Sequence, residues 1–204
     1  MEKKAARFIS FILHPLIIPT AGLLILFSSG TYVSLMTLEA KKVLLLITGT
    51  GTFLFPVTLM PFLFHRKLIS DLSISAREER FLPMVFIFLL FLFTFFLIYK
   101  LPVNRLIHGY FLSITIALLL TILANSILKI STHMVGIGSL AGLIISLVMM
   151  FGLYIQPLFI IVIIAAGLCG YSRLKLGEHT EREVYLGFML GFAVVLSVML
   201  IYAK

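Results

Sequence analysis

Apolar residues in this chain form seven long stretches that are separated by short polar segments. The stretches run approximately over residues 8–27, 43–64, 81–99, 106–128, 133–154, 156–171 and 184–202. The longer ones exceed the roughly 20 residues that a helix needs to cross the hydrocarbon core of a bilayer. Because a chain in lipid must satisfy its own backbone polar groups, such stretches form helices. We therefore predict an all-α fold, a polytopic transmembrane helical bundle with about six to seven membrane helices.

Proline and glycine predict two interruptions in this pattern. The first stretch contains His14-Pro15 and Pro19, so its helix is expected to be kinked or to start late. No charged residue separates the fifth stretch from the sixth, but Gly152 and Gln156-Pro157 lie between them. Proline disfavours helical geometry in the residue before it, so we expect one helix to end there and the next to begin.

Composition agrees with a membrane protein. The chain is 61% hydrophobic and only 12% charged, and its mean hydropathy is +1.19. The net charge of +8 does not indicate nucleic acid, because the basic residues flank apolar stretches, where they match anionic headgroups. No linker or internal repeat stands out, so we expect one integral-membrane domain over residues 1–204. The spacings Gly138/Gly142 and Gly187/Gly191 are typical of close helix contacts in membranes.

The order of the helices predicts where the polar segments lie. Two helices separate the loop 65–80 from residues 131–133, and two more separate those residues from the segment 172–183. An even number of crossings returns the chain to the same face of the membrane. The three polar segments therefore converge on the face of the amino terminus, and two of them hold six of the eight carboxylates.

These segments contain the groups that displacement at phosphorus requires. One histidine can attack while a second protonates the departing oxygen, and a carboxylate can orient the attacking ring. His179 and Glu183 lie four residues apart, so they would share a helical face if the last helix began near His179. Arginine side chains match phosphate oxygens, and a serine hydroxyl adds a further donor. A phosphate cradle of Arg80, Ser131 and Arg173 is the resulting hypothesis.

The same residues resemble the signatures of the type 2 phosphatidic acid phosphatase superfamily. Ser172-Arg173, five residues, His179, three residues and Glu183 resemble its third signature, which ends in aspartate. Ser131-Thr132-His133 is similar to its second, Pro-Ser-Gly-His, and its first, Lys, six residues, Arg-Pro, is echoed by Arg77, Arg80 and Pro83. The resemblance covers residues 77–183. The local sequences around His14-Pro15 and at residues 129–133 are also similar to those of small bacterial members of the superfamily.

The resemblance implies a phosphatase that needs neither metal nor other cofactor and passes through a phosphohistidine. By the same resemblance, His179 would be the nucleophile, His133 the general acid, and Glu183 the residue that orients His179. The phosphate ligands would be Arg80, Ser131 and Arg173.

The sequence also departs from the signatures. Glutamate replaces aspartate at Glu183, Thr132 replaces glycine, Ile130 replaces proline, and no lysine stands seven residues before Arg80. The candidates for the missing positive charge are Arg77, Lys129 and Lys67, and spacing does not choose among them.

The expected substrate is a lipid-linked phosphate or diphosphate, with membrane lipids as the surroundings. The sequence identifies neither the lipid nor the oligomeric state, and it does not separate a hydrolase from a phosphotransferase. Enzymes that hold magnesium on aspartate clusters are disfavoured, because Asp71 is the single aspartate. The main alternative is a non-catalytic protein that binds or transports lipid phosphates on the same scaffold. It would retain the arginines but need neither histidine.

Orientation stays open at this stage. The face of the amino terminus carries eleven Lys and Arg residues and the other face five, which favours a cytoplasmic site. Six of the eleven lie in or beside the predicted site, however, and without them the two faces are level at five each. The family resemblance implies an outward-facing site instead. We expect a multi-pass protein of a cell membrane, by the resemblance the bacterial cytoplasmic membrane.

Overall fold

The structure, a computed structural model, describes residues 2–69 and 78–203. Within these residues the chain is helical and contains no β-strand, so the all-α prediction is confirmed. The helices are α1 (Glu2–Ile12), α2 (Ile18–Ser28), α3 (Leu38–Gly49), α4 (Phe55–His65), α5 (Phe81–Tyr99), α6 (Arg105–Asn125), α7 (Thr132–Phe151), α8 (Gln156–Lys175) and α9 (Glu181–Tyr202).

Seven helical segments in the described part of the chain are long and apolar enough to cross a membrane. The first, Glu2–Ser28, comprises α1 and α2, and the second, Leu38–His65, comprises α3 and α4. The remaining five are α5 to α9, one helix each. Many large apolar side chains on these helices remain exposed, as expected for surfaces that face lipid. The protein is a multi-pass membrane protein, as predicted.

Both predicted interruptions are present. A 3-10 turn, Pro15–Ile17, separates α1 from α2, and Pro19 lies in the first turn of α2. Gly152 ends α7 in the left-handed conformation, at φ 62°, where glycine carries no steric penalty. Pro157 then lies in the first turn of α8, where its missing N–H costs nothing. A further interruption, the π-helical segment Thr50–Leu54 between α3 and α4, was not predicted.

Two membrane segments start before the predicted apolar stretches, whereas α6 ends at Asn125 instead of 128 and α7 at Phe151 instead of 154. The second membrane segment starts at Leu38 instead of 43, because the Thr37 side chain accepts a hydrogen bond from the Ala40 N–H. The last helix starts at Glu181 instead of 184, because Thr180 and Glu183 form a capping box. Charged residues therefore lie inside the helix ends and not only between helices.

The glycine spacings lie at a close helix contact, as predicted, and the structure shows that its two helices are α7 and α9. A side chain at Gly138 would overlap the carbonyl of Phe188 on α9, and one at Gly191 would overlap the carbonyl of Val135 on α7. Only residues without a Cβ permit such close backbone approach. At the end of this contact, the Ser131 N–H donates to the Glu183 carbonyl at 3.4 Å. The contact therefore sets the start of α7 beside the start of α9.

Candidate active site

One cleft of about 230 Å³ opens at the starts of α7 and α9. Its polar lining is His14, Arg80, Thr132, His133, Arg173, His179, Thr121 and Ser139. The rest of the lining is predominantly apolar and comes mainly from α2, α5, α6 and α7. The predicted convergence of distant polar segments is therefore observed, with four of the predicted site residues on a shared surface: Arg80, His133, Arg173 and His179.

His179 and Glu183 are directly bonded. The distance between His179 Nδ1 and Glu183 Oε2 is 2.8 Å, and the same carboxylate oxygen accepts from the Thr180 N–H at 3.2 Å. A carboxylate partner favours the tautomer with the proton on Nδ1, which leaves the lone pair of Nε2 available. The arrangement gives an imidazole that is oriented by a carboxylate, as the sequence predicted.

The reason for that contact differs from the prediction. The two residues do not share one helical face, because α9 begins at Glu181 and His179 precedes its N-cap, Thr180. The Glu183 side chain instead turns back over the helix start, as a capping-box glutamate does, and meets the imidazole there. The last helix begins two residues too late for the helical-face argument to hold.

Burial lowers the pKa of His179 to about 4. The hydrogen bond to Glu183 acts in the opposite direction and raises it, whereas the charges of Arg80 and Arg173 lower it further. The lowered pKa keeps the imidazole neutral at ordinary pH. A neutral ring is the form that can attack an electrophile.

His133 lies in the first turn of α7, where backbone N–H groups and the helix dipole favour an anion. Its ring packs edge-to-face against His14, with 5.3 Å between the ring centroids. The side chain is half-buried and lines the cleft. His133 is thus placed to meet a negatively charged group in the cleft.

Arg173 is held by a chain of hydrogen bonds from α1. Its Nη1 donates to Ser10 Oγ at 3.3 Å, and Ser10 Oγ lies 3.0 Å from Ser172 Oγ. Since Ser172 Oγ donates to the Cys169 carbonyl at 2.8 Å, Ser10 is left to donate to Ser172. A longer ion pair of 3.7 Å joins Nη2 to Glu178. Nε is buried and has no hydrogen-bond partner among the described residues, so the guanidinium keeps donor capacity.

Arg80 and Lys129 belong to the same electrostatic environment. Burial lowers the pKa of Arg80, while the charges of Glu178 and Glu183 raise it. Burial also lowers the pKa of Lys129, and the charge of Arg80 is the next largest cause. Arg80 lines the cleft, whereas Lys129 lies in the loop before α7 and does not. Both stay cationic, because the ordinary pKa values of arginine and lysine lie far above neutral pH.

Ser131, a further predicted phosphate ligand, does not line the cleft. Ser131 is fully buried, and its Oγ has no hydrogen-bond partner among the described residues. Thr132, which was not predicted as a phosphate ligand, lines the cleft instead. Arg77 lies outside the described residues.

No protein-family model, characterised protein or solved structure matches the chain. Membership of the phosphatase superfamily that its motifs resemble therefore stays an expectation. Among residues 2–69 and 78–203, no group of three His, Cys, Asp or Glu side chains is placed to hold a metal ion. Any functional conclusion rests on the geometry of the cleft.

Two residues of the site were missed at the sequence level. Ser10 and His14 belong to the first membrane segment, yet Ser10 bonds to residues more than 160 positions away. For His14 a signal exists, because a histidine before Pro15 inside an apolar stretch is a polar residue at a helix break. For Ser10 no sequence signal distinguishes it from an ordinary serine.

Proposed function

We propose that this protein is a membrane enzyme that hydrolyses lipid phosphates or diphosphates through a phosphohistidine, without a metal ion. The observation that carries the proposal is the shared cleft, in which a carboxylate-oriented histidine, a second histidine and two arginines adjoin an apolar wall. The motif likeness to small bacterial phosphatases supports the bacterial cytoplasmic membrane as its location.

The apolar part of the cleft supports a substrate that comes from the lipid. The lining runs from Arg80, directly before α5, through Met84 to Phe91 on that helix. Eleven residues of helix span about 16 Å, which is about half of the ~30 Å hydrocarbon core. The charged end of the cleft lies at one membrane face. A lipid of one leaflet can therefore enter with its headgroup at the charged end and a hydrocarbon chain along α5.

The mechanism assigns a role to each polar group. Arg80 and Arg173 bind non-bridging phosphate oxygens, and the N-terminus of α7 adds backbone N–H groups. Nε2 of His179 attacks phosphorus and forms an N–P bond, while the bond to the leaving oxygen breaks and His133 gives that oxygen a proton. Water then attacks the phosphohistidine, His133 takes up one of its protons, and inorganic phosphate and the dephosphorylated lipid depart.

The test is release of inorganic phosphate by the purified protein in the presence of EDTA. Phosphatidic acid, phosphatidylglycerol phosphate, undecaprenyl diphosphate and lipid A phosphates serve as substrates. We expect wild type to release phosphate from at least one of them, and His179→Ala to lower the rate at least about 1000-fold while lipid binding persists.

The matched control is His65→Ala, since His65 is an exposed histidine at the end of α4 on the same membrane face. It should retain the wild-type rate. Equal rates for wild type and His179→Ala would disprove the assignment. Binding of lipid phosphates without any phosphate release by wild type would identify the non-catalytic binding or transport protein instead.

A further inference from the structure

His14 lines the cleft but has no part in the mechanism above. It lies at the break between α1 and α2, where the chain is extended at φ −67° and ψ 136° before the turn Pro15–Ile17. The break directs the His14 side chain into the cleft, whose other polar side chains all come from later segments of the chain. A polar residue inside a membrane segment calls for a functional explanation.

The local hydrogen bond of His14 fixes where its proton lies. Its Nδ1 accepts a hydrogen bond from the Leu16 N–H at 3.4 Å, as an N-cap side chain does. A ring nitrogen that accepts carries no proton, so the neutral imidazole carries its proton on Nε2. His14 therefore brings an N–H donor to the cleft.

The position of His14 relates it to the leaving group. Among the described residues, its ring contact is with His133, whereas the polar partner of His179 is Glu183. In an in-line displacement the leaving oxygen departs on the side opposite to the nucleophile. Since His133 protonates that oxygen, His14 lies on the leaving-group side of the reaction.

We propose that His14 is a further substrate-binding residue, whose Nε2–H binds the leaving phosphate of a lipid diphosphate. This inference rests on the proposed function and narrows its substrate class. When His179 attacks the terminal phosphorus, the bridging P–O bond breaks, and the proton of His133 goes to the bridging oxygen. The departing lipid monophosphate carries charge that an alcohol leaving group lacks. His14 keeps its own proton and binds that charge.

Two substitutions separate the donor of His14 from its helix cap. His14→Asn retains an oxygen at the position of Nδ1, so it can still cap the turn, but it lacks a donor at the position of Nε2. His14→Gln carries an amide N–H near the position of Nε2 but fits the cap poorly. A purely structural role favours Asn, whereas a phosphate-binding role favours Gln.

The experiment compares kcat/KM for farnesyl diphosphate and farnesyl monophosphate in both variants, in wild type and in the control His65→Gln. We expect wild type to prefer the diphosphate. His14→Asn should lose about 10- to 100-fold on the diphosphate and less than about threefold on the monophosphate, as expected for one hydrogen bond to a charged group. His14→Gln should recover most of the diphosphate rate, and His65→Gln should match wild type.

Equal losses on both substrates, or an unchanged diphosphate rate in His14→Asn, would overturn this role while the phosphatase proposal stands. A wild type that prefers the monophosphate would do the same. A wild type that releases phosphate from none of the lipids would instead remove the proposed function itself. Thermal unfolding in detergent shows whether either variant is misfolded, and the ratio between the two substrates is independent of the folded fraction.

Discussion

The two ends of the helix bundle use the same residue types in different ways. At the end opposite the cleft, Lys41 donates to the Ser34 carbonyl at 2.6 Å, and Lys100 lies over the ring of Phe96, 5.4 Å from its centroid. His108 there bonds through Nε2 to the Ile98 carbonyl at 3.2 Å. At the cleft end, histidines and arginines of four different chain segments line a shared cavity.

The difference lies in what satisfies the polar groups. Lys41 rests on a backbone carbonyl and Lys100 on an aromatic face, which is usual for residues that anchor a helix at the interface. At the cleft end Arg173 is mostly buried yet keeps a donor without a partner among the described residues. Basic residues at a membrane face thus do not indicate a functional site by themselves. A basic residue that is buried beside a cavity does indicate one.

The largest effect that sharpens this comparison should come from Arg173. Arg173→Ala removes a guanidinium from the proposed phosphate site, and we expect phosphate release to fall about 100- to 1000-fold, as for loss of a group that binds developing charge. Arg105→Ala, an exposed arginine at the far end, should stay within about twofold of wild type. The measurement is kcat/KM for the preferred lipid.

A lysine at the same position refines the result. Arg173→Lys keeps the charge but loses the planar fork of donors, so it should recover only part of the lost rate. Similar rates for Arg173→Ala and Arg105→Ala would mean that the cleft end is an interface anchor like the far end.

A smaller effect should come from Glu183→Gln. Glutamine can still cap α9 and accept from His179 Nδ1, so the change removes mainly the charge. We expect kcat to fall about tenfold, because the carboxylate stabilises the cationic ring formed on attack. Since Glu183 raises the pKa of His179, its loss should lower that pKa further.

The pH dependence of kcat/KM checks the sign of this effect. The reactive form of His179 is neutral, and it predominates above a pKa of about 4. Wild-type activity should therefore persist through pH 6 and fall only as the pH approaches that value, and the acid limb of Glu183→Gln should lie lower still. An acid limb near pH 6.5 in both proteins would mean that His179 is solvated like an ordinary histidine.

Much of the fold follows from the sequence because the bilayer imposes one length and one backbone geometry. Apolar stretches predicted all seven membrane segments, and Gly152 with Pro157 predicted the break between α7 and α8. The glycine spacings predicted close helix contacts, because close backbone approach requires residues without side chains, but only the structure shows that α7 and α9 form one. The predicted start of α9 was wrong, because hydropathy alone does not register the capping pattern Thr180-x-x-Glu183, which starts the helix at Glu181.

The site was less predictable, since it depends on contacts between distant segments. Counting helix crossings brought the polar segments of Arg80, His133 and His179 to one face without any knowledge of packing. It could not show that Ser131 is buried and does not line the cleft, because which side of a helix start faces a cavity depends on its neighbours. Nor could it show that α1 packs against α8 and brings Ser10 to Arg173.

The smallest effect should come from His108, at the far end. His108→Gln keeps a donor near the Ile98 carbonyl, and His108→Ala removes it, which should cost about 1 kcal/mol of stability, or a few degrees in Tm in detergent. Neither variant should change phosphate release by more than about twofold, because His108 does not line the cleft in which the substrate is proposed to bind. If His108→Ala instead lowered phosphate release as much as His14→Asn, then His108, which is bonded to a backbone carbonyl, would matter to turnover as much as a histidine in the cleft. Hydrogen bonding to the protein's own backbone would then not distinguish a residue that anchors a helix from a residue of the site.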